Sequence, residues 1–97
     1  MSEFFVETGQ FFRYSNQDYN LYFVAGISGE PGAERKVKLV VVDDEMSVSG
    51  VGSISSGRVN LIKIGEVDVD PELCTPIELA DMQKPSREKA RAILNKL

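Results

Sequence analysis

The chain has 97 residues, of which 42% are hydrophobic and 27% charged, so we expect one globular domain with its own core. No run approaches the ~18–20 apolar residues of a membrane span, and the N-terminus lacks the basic flank and apolar region of a secretory signal. Cys74 is the only cysteine, so no internal disulfide can form. A cytoplasmic, reducing location is the simplest expectation, although a processed secreted protein would also fit.

The chain contains no histidine, which removes the commonest general base and the commonest metal ligand. We therefore predict a protein that is not an enzyme and that has no cofactor and no metal; a carboxylate- or metal-dependent enzyme is a less favoured alternative. Two acidic clusters, residues 43–45 and 68–72, lack EF-hand spacing and are interpreted as solvated turns and helix starts. Cys74 has no histidine to activate it and is interpreted as a small buried hydrophobic residue.

The net charge of −4 is unevenly distributed along the chain. Residues 66–81 carry only acidic charges, and residues 84–97 carry basic charges with Glu88 as the single acid. Two interpretations remain open. The two segments lie together and neutralise each other, or the basic segment binds an acidic partner.

The N-terminal region carries two aromatic pairs, Phe4-Phe5 and Phe11-Phe12, separated by residues 8–10. This pattern predicts either two strands in a tight hairpin or one strand broken by a bulge at Gly9. Adjacent side chains point to opposite faces of a strand. One phenylalanine of each pair must therefore be buried against a surface other than the main core.

A central hairpin is predicted from two apolar runs, residues 21–25 and 37–42, joined by a loop rich in Gly and Pro. Both faces of these strands are apolar. The pattern indicates an interior pair that is covered on both sides.

In residues 46–55, serine occupies nearly every second position, and Met, Val, Gly or Ile occupies the positions between. This alternation favours a strand with one solvent-exposed face; a mobile Gly/Ser loop over residues 46–57 is the alternative.

In residues 58–69, the apolar side chains switch between odd and even positions twice, once near Ile62 and once at Gly65. Such a change needs either a bulge or burial on both faces of the strand. We expect one long, bent strand of the kind found at the corners of small barrels.

Two short helices are predicted after Asp70-Pro71, which is itself a helix-start signal. The first would run from about residue 76 to 83, capped by Thr75 with Glu78 completing a capping box, and would end before Pro85. The second would be capped by Ser86. Its apolar side chains share one face and must dock on this domain or on another chain: Ala90, Ile93, Leu94 and Leu97.

The predicted fold class is therefore α+β: a five- to six-stranded, mostly antiparallel meander or small, partly closed barrel followed by two short C-terminal helices. Residues 1–97 form a single domain, with a β-rich part at residues 1–69 and a helical part at residues 70–97.

The predicted function is a small non-enzymatic interaction module that binds another protein, or self-associates, through an aromatic sheet face and a basic C-terminal helix. The predicted partner-binding residues are Phe5, Phe11, Arg13, Tyr14, Tyr22, Lys36, Lys38, Arg87 and Arg91. The alternative is a single-stranded nucleic-acid-binding domain that uses the sheet aromatics with Arg13, Lys36 and Lys38. The acidic balance disfavours this alternative, because affinity for phosphate backbones comes mainly from clustered bases.

Overall fold

The computed structural model describes residues 4–15, 21–29 and 34–96. One α-helix, α1, spans Lys84–Asn95, and two 3₁₀ helices span Pro71–Leu73 and Leu79–Asp81. The strands are β1 (Phe5–Val6), β2 (Phe11–Tyr14), β3 (Leu21–Ser28), β4 (Arg35–Val41), β5 (Met46–Ser55), β6 (Arg58–Ile64), β7 (Val67–Asp68) and β8 (Cys74–Ile77).

The strands form one antiparallel sheet in the order β1-β6-β5-β4-β3-β2-β8, with β7 also pairing with β6. Only residues 7–10 separate β1 from β2, although these two strands lie near opposite ends of the order. The sheet must therefore curl. Its curvature brings the rings of Phe4 and Phe12 to a centroid distance of 5.1 Å. The result is an antiparallel half-barrel with one C-terminal helix, which agrees with the predicted α+β class.

The strand count and the N-terminal pairing differ from the predictions. Residues 4–15, 21–29 and 34–96 contain eight strands rather than five or six. The prediction of an N-terminal hairpin or a single bulged strand is wrong, because β1 pairs with β6 whereas β2 pairs with β3 and β8. Residues 46–55 are strand β5, so the loop alternative for this segment is also wrong.

The first phase change corresponds to a bulge at Ile62, one of the two explanations that the sequence left open. Lys63 pairs with Val51 and Leu61 with the next residue, Gly52, so Ile62 has no partner in the register. The second phase change is a tight turn rather than a bend. Gly65 has a φ of 60°, a conformation that glycine adopts at little cost, and β7 then pairs back on β6.

The first of the two predicted C-terminal helices is absent, and the segment at its start is strand β8. Pro76 lies opposite Phe12 in the pairing of β8 with β2, and only a 3₁₀ helix follows it. Pairing with β2 holds Thr75 in an extended strand, so the local capping signal does not start a helix. The other helix begins at Lys84 rather than after Ser86, with Pro85 in its first turn, where proline is tolerated. Asp70 does act as a cap, because its Oδ1 accepts the Glu72 N–H at 3.0 Å.

The half-barrel has a core on each side of its sheet. The inner core comprises Phe4, Val6, Phe12, Tyr14, Tyr22, Val24, Val37, Leu39, Val41, Leu61 and Ile64. The outer core, where α1 packs on the sheet, comprises Phe11, Leu21, Phe23, Val42, Met82, Ala90 and Ile93. Both faces of the central hairpin are therefore covered within the chain, as its apolar pattern predicts. Leu97, the last residue predicted on the apolar face of the helix, lies outside the described residues.

Tyr14 closes the half-barrel with its hydroxyl group. This group donates a hydrogen bond to the Asp68 carbonyl at 3.0 Å and accepts one from the Asp70 N–H at 3.4 Å. It thereby joins β2 to the segment that follows β6.

Replacing Tyr14 by Phe should lower the free energy of unfolding by about 1–2 kcal/mol, because two partly buried hydrogen bonds to the backbone are lost. Tyr22→Phe is the matched control, since the Tyr22 hydroxyl makes no hydrogen bond to a described residue. Urea unfolding of both variants measures the difference. Equal effects would show that the Tyr14 hydroxyl does not join the two segments.

Candidate functional site

The aromatic face expected from the sequence is not exposed. Phe11, Tyr14 and Tyr22 expose only 6%, 0% and 3% of their surfaces. Tyr14 and Tyr22 point into the half-barrel, and Phe11 lies in the outer core with α1. Burial, together with the neighbouring Tyr14, raises the pKa of Tyr22. These three rings therefore pack in the cores of this chain.

The basic helix is docked, and several of its polar side chains hold it in place. Arg87 donates to the carbonyls of Leu79 and Met82 at 3.2 and 2.9 Å. Lys89 donates to the Asp43 carbonyl at 2.6 Å. The guanidinium of Arg87 already donates to backbone carbonyls of this chain. Arg87 is therefore a weaker candidate for partner binding than the sequence predicts.

The basic helix contacts the acidic turn between β4 and β5, which includes residues 43–45. Ser86 donates to the Asp43 carboxylate at 2.9 Å, and Lys96 lies 3.6 Å from the Glu45 carboxylate. The contacts of α1 with acidic side chains are therefore made to residues 43–45 rather than to the acidic segment 66–81. Arg91 is exposed on the same helix.

Arg13 is half-buried on β2, opposite Leu21 on one side and Thr75 on the other. It lies at the helix-covered end of the sheet. The structure therefore does not group Arg13 with the two predicted lysines of β4.

One part of the outer side of the sheet is left uncovered by α1, and its outward-pointing residues define what we call the basic face. Val37, Leu39 and Val41 are buried inside the half-barrel, so the alternate residues Lys36 and Lys38 point outward. The basic face comprises Lys36, Lys38, Ser47, Ser49, Val51, Ser53, Asn60 and Lys63.

The strand register places the lysines of the basic face close to one another. Lys36 lies opposite Val51, which in turn lies opposite Lys63. Neighbouring strands are about 4.8 Å apart, and alternate residues of one strand are about 7 Å apart. Three ammonium groups thus share a small patch of sheet.

The charge of this region is unlike that of the rest of the chain. Strands β4, β5 and β6 contain no acidic residue, and their basic residues are Arg35, Lys36, Lys38, Arg58 and Lys63. Lys63 lies 3.9 Å from the Asp68 carboxylate, whose side chain is 88% exposed. Such an exposed pair contributes little, so the face keeps its positive character.

Phe5 lies beside the basic face. On β1 it alternates with the buried Val6, and it lies opposite Asn60. It is only half-buried, unlike Phe11. The structure therefore places three of the predicted residues, Phe5, Lys36 and Lys38, on the same outer side of the sheet, with Phe5 three strands away from the two lysines.

Lys63 is the residue of this face that the sequence prediction missed. Simple alternation from the buried Leu61 would turn Lys63 inward. The bulge at Ile62 adds one residue, so Lys63 points outward and Ile64 points into the core. The phase change in the apolar pattern was the signal that could have located it.

Cys74 does not resemble an activated thiol. Its Sγ lies 3.7 Å from the Asp70 carbonyl, and it is half-buried on β8. Burial, and secondarily the Asp70 carboxylate, raises the pKa of the Cys74 thiol to about 11. This agrees with its interpretation as a small apolar residue.

Cys74 should therefore react slowly with iodoacetamide at pH 8, at a rate at least tenfold below that of the urea-unfolded chain, whose thiol has an ordinary pKa near ~8.5. The rate should rise with pH up to about 11, where the folded thiol ionises. Mass spectrometry of quenched samples measures both rates. A folded chain that reacts as fast as the unfolded one would contradict the raised pKa.

Over the described ranges, no group of three or more His, Cys, Asp or Glu side chains is placed to hold a metal ion. Within these same ranges, no helix combines the length and apolar character needed to cross a membrane.

No protein-family model, curated protein or solved structure matches this chain.

Proposed function

We propose that this protein is a non-enzymatic interaction module that binds an acidic surface of another protein through its basic face. The observation that carries the proposal is the acid-free set of strands β4, β5 and β6, whose lysines lie on a side of the sheet that α1 leaves uncovered. An acidic partner would neutralise them. The half-exposed Phe5 adds the aromatic contact that protein interfaces favour.

A protein partner suits this surface better than a nucleic acid does. Binding of single strands relies on exposed aromatic rings that stack on bases, and Tyr14 and Tyr22 are buried. Acidic groups also border the face, with Glu45 at one turn and Asp68 on β7. They would repel a long polyanion but allow a compact acidic patch.

Self-association by sheet extension is disfavoured by the two edges of the sheet. The outer edge of β6 is covered by β1 and β7. The other edge of the sheet is strand β8, which contains Pro76. A proline has no N–H group, so it is tolerated in a paired strand when its nitrogen faces the unpaired edge. Pro76 thus removes a donor from that edge, which protects it against pairing with another chain. A partner is therefore expected on the face of the sheet.

The test is charge reversal on the face against charge reversal on the helix. The double variant Lys36→Glu/Lys63→Glu should lose its bound proteins at least about tenfold in a quantitative affinity capture from lysate, because like charges then meet across the interface. The matched control, Lys84→Glu/Arg91→Glu, changes the charge equally on exposed positions of α1 and should retain them.

Three outcomes would overturn the proposal. Loss of the same proteins only in the helix variant would move the site to α1. An unchanged set in both variants would remove any role for either surface. Tight, salt-dependent binding of a labelled thymidine oligomer that the face variant abolishes would assign the face to nucleic acid instead.

A further inference from the structure

A notch lies beside the basic face, between the outer side of the sheet and the C-terminal turn of α1. It has a volume of about 270 Å³. Its apolar lining is Ala25, Val40 and Ile93, and it shares Lys38 and Ser47 with the basic face. Small-molecule pockets usually measure about 300–1,000 Å³. The notch lies just below this range and is large enough to hold one large side chain.

The charges at the rim of the notch are also suited to an acidic segment. Lys38 borders one side and Lys96 the other, and the remaining charged residue of the lining, Glu45, lies 3.6 Å from the Lys96 ammonium group. Lys36 points outward two residues before Lys38 on the same strand. Their separation of about 7 Å equals that of alternate residues in an extended peptide.

Resting on the function proposed above, we infer that the partner is an extended acidic segment that inserts one large apolar side chain into this notch. Its carboxylates contact Lys36 and Lys38, and its apolar residue packs against Val40 and Ile93. A buried apolar anchor surrounded by polar contacts is the arrangement that concentrates binding energy in protein interfaces. The inference thus assigns the chemistry of the partner: acidic residues flanking one large aliphatic or aromatic residue.

The experiment uses a display library of random short peptides selected on the full chain. The selected peptides are then titrated by fluorescence polarisation against three variants whose folding is checked by thermal melting. Ser47→Phe fills the notch from an exposed strand position. Ser55→Phe makes the same exchange on β5 roughly 26 Å away, outside both the notch and the basic face. Lys36→Glu/Lys63→Glu reverses charge on the face without altering the lining of the notch.

The expected result is enrichment of acidic peptides with one large apolar residue, which bind Ser47→Phe at least about tenfold more weakly and Ser55→Phe with unchanged affinity. If acidic peptides bind Ser47→Phe with the same affinity as the original chain but do not bind the charge-reversed variant, the inference about the notch is overturned and the proposed function stands. Failure to enrich acidic peptides, or equal binding to the charge-reversed variant, would overturn both.

Discussion

Replacing Ile93 by Asp is expected to lower the free energy of unfolding by about 4 kcal/mol or more, which is most of the stability of a small domain. Ile93 exposes 7% of its surface in the outer core, where α1 packs against Phe23 and Val42. Removing a buried isoleucine side chain costs about 2–5 kcal/mol. A carboxylate in the same apolar place adds the cost of burying a charge without a partner.

Urea unfolding followed by circular dichroism measures this loss. The matched control is Asn95→Asp, which adds the same charge at an exposed position two residues further along α1. Its effect should stay within about 0.5 kcal/mol. If Ile93→Asp left the midpoint unchanged, α1 would not be docked on its own sheet, and its apolar face would be free to bind another chain.

The second large effect is expected at Gly52, where strands β5 and β6 approach each other closely. A Cβ atom added there would lie 2.8 Å from the Asn60 carbonyl oxygen and would overlap the Val59 side chain. Backbone cannot give way as a flexible side chain can. Gly52→Ala should therefore destabilise the protein by about 2–3 kcal/mol through overpacking.

Gly26→Ala is the matched control for Gly52→Ala. It makes the same exchange in a strand, and its Cβ would meet no described atom within 4 Å. Its effect should be within about 0.5 kcal/mol. Thermal or urea unfolding of the two variants decides the matter. Equal, small effects would show that β5 and β6 do not approach as closely as the structure describes.

Gly52 also shows why a region rich in Gly and Ser forms a strand. The alternation of residues 46–55 is a period-two pattern, and Gly50 and Gly52 both occupy the buried, inward positions of β5. Their lack of side chains makes room for Leu61 and Val59 of the neighbouring strand. The glycines therefore serve close packing of two strands rather than flexibility.

The C-terminal segment shows the limit of local signals. Thr75, Pro76 and Glu78 fit a capping box well, yet residues 74–77 form β8 on the edge of β2. A helix start is stabilised by a few hydrogen bonds within one turn, whereas the strand gains pairing with β2 and places Ile77 against the outer core. The free energy gained by pairing with β2 therefore exceeds the local preference of residues 75–78 for a helix start.

Much of the architecture could be predicted because it depends on neighbours in the chain. The two-sided central hairpin, the bulge near Ile62 and the amphipathic last helix all follow from periodicity, which backbone geometry converts into side-chain direction. What the sequence could not decide was which aromatic rings stay exposed. Phe5 and Phe11 have similar surroundings in the sequence, but α1 packs beside Phe11 and leaves Phe5 at the surface.

The sequence by itself therefore determined the α+β composition of this protein, the direction of most strand side chains and the need for a cover on both faces of its central hairpin. Only the tertiary structure decided that the half-barrel and α1 supply both covers, and that Lys36, Lys38 and Lys63 form one basic face beside a notch. The physical reason is that side-chain direction is a local property of the backbone. Burial and charge clustering depend instead on which distant segments pack against each face.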